Sequence, residues 1–106
     1  MSKQGEIKII LELDENNVPE KLSWDASDSE QGGDCECVVL SIWDKKEQNT
    51  LKIDLWTKEF NTDQMKQFIH QNIMTLSETF ERATGENEMA SEMREFGQYF
   101  QEKMGI

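Results

Sequence analysis

Two cysteines, one histidine and a dense set of carboxylates are the residues through which this 106-residue chain could do chemistry. Cys35 and Cys37 form a Cys-x-Cys. A zinc centre would need two further nitrogen or sulfur ligands, and His70 is the only other candidate. On a strand, residues two apart project from the same pleat. The two thiols would then point in parallel, poor geometry for a mutual disulfide. The ordinary reading is a pair of half-buried strand thiols. A general base at His70 would need a nucleophile or an orienting carboxylate beside it, and no Ser or Cys motif provides one. His70 falls beside an apolar helical stripe, the place of a boundary histidine. Asp14-Glu15-Asn16-Asn17 resembles part of an oxygen-ligand loop but lacks the central glycine and terminal bidentate Glu of an EF-hand, so it reads as a turn. Gly32-Gly33 is not a phosphate loop, because no Lys and no helix cap follow it. The residues therefore predict no catalytic centre, no metal and no cofactor: a protein that is not an enzyme.

The elements that must carry these side chains are legible from periodicity. Val38, Leu40 and Ile42 share one pleat, and so do Leu51, Ile53 and Leu55, with Lys52 and Asp54 opposite. For both apolar faces to coincide, an even position must pair with an odd one, which puts Ile42 opposite Leu51 or Ile53. The polar, glycine-free segment from Lys45 to Asn49 suits a loop of four or five residues better than a tight two-residue turn. Leu51, Ile53 and Leu55 are expected to be buried against the helices that follow. The second face is mixed. Val39, Trp43 and Trp56 stand there among Ser41, Lys52 and Asp54, and they are the candidate interaction residues. Large aromatics on a sheet are ordinarily core. On the face opposite the aliphatic stripe they would need a partner to cover them, and an exposed Trp is a frequent interface anchor. Self-association through this face is the expectation.

Upstream, residues 6–13 alternate with Ile7, Ile9, Leu11 and Leu13 on one face. The DENN turn precedes Val18-Pro19, and the proline belongs to a turn or a strand start. Residues 20–26 read as a second strand, with Leu22 and Trp24 pairing with Leu11 and Leu13. Residues 27–34 read as a flexible polar loop, and 35–44 as one long strand. At Phe60 the period changes. Asn61 with Gln64 forms a capping box, and Phe60 with Met65 a hydrophobic staple. Met65, Phe68, Ile69, Ile73, Leu76, Phe80 and Ala83 then mark a helix over 62–84 that ends at Gly85. Asn87 is placed as the next N-cap. Met89, Met93, Phe96, Phe100 and Met104 form the inner stripe of a second helix over 88–104. Of the six methionines, Met65, Met89 and Met93 stand at helical spacing and read as core rather than as an adaptable binding face. The expected architecture is one α+β domain: a four-stranded antiparallel sheet of two sequential hairpins over 6–58, followed by two antiparallel helices. The helix pair would pack on the sheet or on its twin in a homo-oligomer.

Composition bounds the partners. Net charge is −11, charged residues are 31% and hydrophobic residues 36% of the chain. Residues 1–60 hold seven basic and fourteen acidic side chains, and 61–106 hold four and eight, so neither half offers a basic patch. Nucleic acid and anionic lipid both need one. The N-terminal MSKQGEIKII alternates charges with apolar residues instead of forming a signal peptide, and no run approaches a membrane span. A cytoplasmic protein, not membrane-embedded and without a structural disulfide, is expected.

Several segments carry a family resemblance. ELDENNVPEKLSWDASD at 12–28, SIWDKKEQNTLKIDLWTKEF at 41–60, DQMKQFIHQ in the first helix and ETFERATGENEMASEMREFGQYFQEKM near the end resemble the gliding motility-associated GldC family. The resemblance implies a cytoplasmic accessory protein of bacterial gliding. Such a protein would act through protein partners in the motility and secretion machinery, with no established enzymatic activity, and the resemblance supplies no catalytic residues. The predicted order of strands then helices, with strong acidity, is also similar to the plan of the tetrameric export chaperone SecB. That likeness of plan raises a second function, a holdase that binds unfolded apolar segments on an exposed sheet face.

Overall fold

A computed structural model describes residues 3–27, 30 and 32–106 of the chain. Two compact units follow one another, residues 1–60 and 61–106. Among the described residues, the first holds five strands: β1 (Ile7–Leu13), β2 (Pro19–Ala26), β3 (Gly32–Cys35), β4 (Cys37–Asp44) and β5 (Asn49–Trp56). The second holds two helices, α1 (Thr62–Thr84) and α2 (Asn87–Met104).

The class is α+β with antiparallel strands, but the expected four-stranded sheet is not what forms. The strands divide into a three-stranded sheet, β1-β2-β3, and a two-stranded ribbon, β4-β5. The difference arises at Glu36. The stretch expected to be one strand bends there, so Cys35 ends a strand paired with β2 while Cys37 begins the strand paired with β5. The glycines expected in a loop supply the added strand. Gly32 lies opposite Asp25, and a Cβ on Gly32 would sit 2.9 Å from the Trp24 carbonyl oxygen, so the close strand approach requires glycine. Asp28, Ser29 and Gln31, the rest of that expected loop, lie outside the described residues.

The first hairpin keeps the expected face but shifts its pairs. Leu11 lies opposite Leu22, whereas Trp24 meets Ile9, and a bulge sets Leu13 opposite Pro19. The turn between the strands is built by Asp14. Its side chain accepts the N–H of Asn16 at 2.8 Å and of Val18 at 3.0 Å, and Asn17 takes a positive φ of 62°. Pro19, without an N–H to give a ladder, opens β2. Leu22 is the buried hydrophobic anchor of this unit, at 2% exposure.

In the ribbon, Ile42 lies opposite Leu51, Leu40 opposite Ile53 and Val38 opposite Leu55. The parity argument therefore holds, and the nearer of its two registers is the one adopted. Residues 45–48 form a four-residue turn in which Gln48 takes φ 54° and Asp44 accepts the N–H of Glu47. The burial expected for the aliphatic face is found only in part: Leu55 is half-buried, while Leu51 is 51% and Ile53 53% exposed.

The helical unit forms as its local signals require. Asn61 and Gln64 close a reciprocal capping box, and Gly85 ends α1 in the left-handed conformation. Asn87 is the first residue of α2 rather than its cap, because the two-residue connection 85–86 leaves Glu86 at the cap position. The helices are antiparallel: His70 meets Phe100, Met74 meets Gly97, and Glu81 meets Arg94. Their contact line on α2 is Ala90, Met93, Gly97, Phe100 and Met104, a run at three- and four-residue steps. The expected stripe is thus half right. Met93, Phe100 and Met104 lie inward, while Met89 and Phe96 are 51% and 53% exposed. Small residues take their places because they let the backbones approach. Ala90 and Ser77 are fully buried, and the Ser77 hydroxyl is satisfied by the Met74 carbonyl of its own turn. On α1, Leu76 is likewise exposed, at 58%.

Candidate functional site

The candidates for chemistry are dispersed. Cys35 and Cys37, expected on one pleat, belong to different sheets, and both are free, half-buried thiols. Burial pushes both thiols up from their ordinary range. Asp34 adds to the effect at Cys35, as Cys35 and Asp54 do at Cys37, so neither is poised as a thiolate nucleophile. His70 is half-buried and stacks on Phe100, ring centroids 6.4 Å apart, which accounts for it as a packing residue between the helices. Among the described residues, no three His, Cys, Asp or Glu side chains converge as a metal site.

Two ionic features were not visible in the sequence. The Lys58 ammonium, just beyond β5, pairs with Asp14 in the β1–β2 turn and lies 3.9 Å from Glu20. That ammonium beside Asp14, with the N–H groups of Val18 and Asn16, brings the Asp14 carboxyl down to about 2, while Asp14 raises Lys58. The pair ties the ribbon to the three-stranded sheet. In the helical unit Arg94 takes Glu81 with both guanidinium nitrogens at 3.3 Å. Neither pair could be read from spacing, since each joins residues brought together only by the fold.

The feature that stands out is the β4–β5 ribbon, which exposes apolar side chains on both faces. Leu40, Ile42, Leu51 and Ile53 occupy one; Val39, Trp43 and Trp56 occupy the other, with Trp43 67% and Trp56 49% exposed. The three predicted interaction residues do share a pleat, but one chain does not gather them into a patch. Trp43 stands opposite Thr50 near the turn, while Trp56 stands opposite Cys37 at the far end. The tryptophans are thus six positions apart in register, roughly 20 Å along a strand. Val39 lies between them, opposite Asp54. Trp56 borders a shallow hollow with Val18, Pro19, Asp54 and Leu55.

Among the described residues, no helix is long and apolar enough to cross a membrane. A protein-family profile described as "Gliding motility-associated protein GldC-like" matches residues 19–106, from the start of β2 through both helices. No curated protein and no solved structure matches the chain.

Proposed function

The chain belongs to the GldC-like family of gliding motility-associated proteins, and we propose that it serves the gliding apparatus by binding other proteins rather than by catalysis. The observation that carries this reading is the ribbon with apolar side chains exposed on both faces. A two-stranded ribbon is marginal in water unless a third strand or another surface covers it, so its stability and its function both call for a partner. The proposal places Val39, Trp43 and Trp56 on the contact face of a cytoplasmic homo-oligomer that also meets a protein of the motility or secretion machinery. The two free thiols suit a reducing compartment.

The test replaces Trp43 and Trp56 together by Lys. The expected result is an unchanged circular dichroism spectrum, loss of the oligomer in light scattering, and loss of partners in a pull-down from gliding cells. Global unfolding of the double variant would make the tryptophans core and end the interface reading. The aliphatic face, with Leu40, Ile42, Leu51 and Ile53 exposed, favours a second reading: a holdase for unfolded apolar segments. Suppression of aggregation of an unfolded client, with competition by apolar peptides, supports it. No suppression at stoichiometric ratios removes it.

A further inference from the structure

We infer that a second copy of this chain pairs with β4 along its open edge, antiparallel and about a two-fold axis at Ser41. This rests on the self-association proposed above and names its geometry. Among the described residues, β5 is the only hydrogen-bonded neighbour of β4. The direction of each main-chain group follows from one bond. Thr57 donates its N–H to the Glu36 carbonyl at 2.9 Å, in the same register that pairs Val38 with Leu55. Bonded pairs alternate along an antiparallel ladder. The even residues of β4 therefore bond to β5, and the N–H and C=O groups of Cys37, Val39, Ser41 and Trp43 point outward.

That edge carries none of the devices that keep strands apart. Natural edges are guarded by charge, proline or bulges. The β1 strand, IKIILEL, carries Lys8 and Glu12. The run CVVLSIW in β4 has no charge, no proline and no glycine, in a chain of net charge −11. The β5 strand is flanked instead by the β1–β2 turn, through Val18, Pro19 and the Lys58–Asp14 pair. Pairing of the β4 edge with the same edge of a second copy uses that edge up on both, so it closes as a two-fold dimer rather than growing into a fibre.

The occupant is identified by self-complementarity. A two-fold perpendicular to the sheet keeps like faces together, so only registers centred on a residue are allowed. Centring on Leu40 sets Asp44 opposite Glu36 of the second copy, twice, a like-charge pairing that destabilises a ladder. Centring on Ile42 places Asp44 opposite Leu40, much as centring on Ser41 places it opposite Val38, but it sets Glu36 opposite Gln48 and so forms no opposite-charge pair there. Centring on Ser41 sets Leu40 opposite Ile42 and Val39 opposite Trp43, and brings Glu36 of each copy towards Lys45 and Lys46 of the other. In this register Ser41 bonds its twin and Val39 bonds Trp43. Two of the three dispersed interaction residues become neighbours only through the second copy, and the ribbon becomes a four-stranded sheet.

The experiment is site-specific cross-linking of the full chain. In a Cys35→Ala, Cys37→Ala background, Ser41→Cys is compared with Leu40→Cys under mild oxidation. Opposed residues of a bonded pair lie about 5.5 Å apart at Cα, within disulfide range. The expected result is a covalent dimer for Ser41→Cys and none for Leu40→Cys. Cross-linking of Leu40→Cys instead overturns the register. No cross-link from either, with light scattering still reporting a dimer, overturns edge pairing but leaves self-association through the tryptophan face standing. A strict monomer overturns both. Independently, Ser41→Pro removes an outward N–H that β5 does not use. It should weaken dimerisation roughly a hundredfold, the effect of main-chain bonds left unmade at an interface, with circular dichroism unchanged. A dimer of undiminished affinity in the folded Pro variant overturns the proposal.

Discussion

Gly97 sits where α1 and α2 approach most closely, and replacing it by Leu separates packing from propensity. An added Cβ would overlap Met74 Sδ and lie 3.4 Å from Ile73 Cγ2. Leucine restores about 0.8–1 kcal/mol of helix propensity over glycine. Against this, overpacking a close contact costs about 1–3 kcal/mol, and occasionally more. The flexible thioether that the first carbon meets can swing aside, so the cost comes from the carbons beyond it. Three further carbons must enter the line between Ala90, Ser77 and Phe100, so the cost falls at the upper end. The net expectation is destabilisation by about 2 kcal/mol, read as a lower urea midpoint of the helical signal at 222 nm. The companion is Phe96→Ala at the neighbouring position, where a ring 53% exposed is removed. Half of an aromatic burial term is partly offset by the better propensity of Ala, leaving about 0.5–1 kcal/mol. The order of the two effects is the test. If Phe96→Ala costs more than Gly97→Leu, the large residues face α1 after all, and the small-residue contact line is wrong.

Two further predictions concern the sheet unit. The Asp14 carboxyl should titrate by NMR near the value of about 2 brought about by Lys58 and the turn N–H groups, against an ordinary 3.8. Because its folded value is depressed, its contribution to stability is complete above the ordinary value and is lost as pH falls through about 2. Lys58→Met should raise the midpoint without fully restoring it, since the Val18 and Asn16 N–H groups remain, and an unmoved midpoint would refute the pairing. In the ribbon turn, Gln48 holds φ 54°, a left-handed conformation that costs a side chain-bearing residue about 1–2 kcal/mol. After the added chain entropy of glycine, Gln48→Gly should stabilise the protein by about 0.5–1 kcal/mol in a thermal melt. A lower melting temperature would count against the turn geometry.

What proved legible before folding was local or set by parity. The Asn61–Gln64 box and the Gly85 terminus join residues within one helical turn, so their hydrogen bonds need no tertiary partner. The period of two excludes every register that would put Lys52 among the isoleucines and leaves Ile42 opposite Leu51 or Ile53; the four-residue turn decides for Leu51. Of the candidate site, the exposed Val39, Trp43 and Trp56 were legible as residues on one pleat, but not their separation along the ribbon. The Lys58–Asp14 and Arg94–Glu81 pairs were illegible, since many carboxylates lie within reach of any basic residue in so acidic a chain.

The sequence by itself determined the elements of this protein: where strands give way to helices, how the helices are capped, which pleat carries the tryptophans. Tertiary structure alone decided which surfaces those elements use. At Glu36 one predicted strand divides between two sheets, because Gly32 can lie against β2 where a residue with a Cβ could not. On α2 two stripes compete, and the one with Ala90 and Gly97 wins over the one with Met89 and Phe96. Burial follows how closely two backbones can approach, and hydrophobic spacing along one helix does not record that distance.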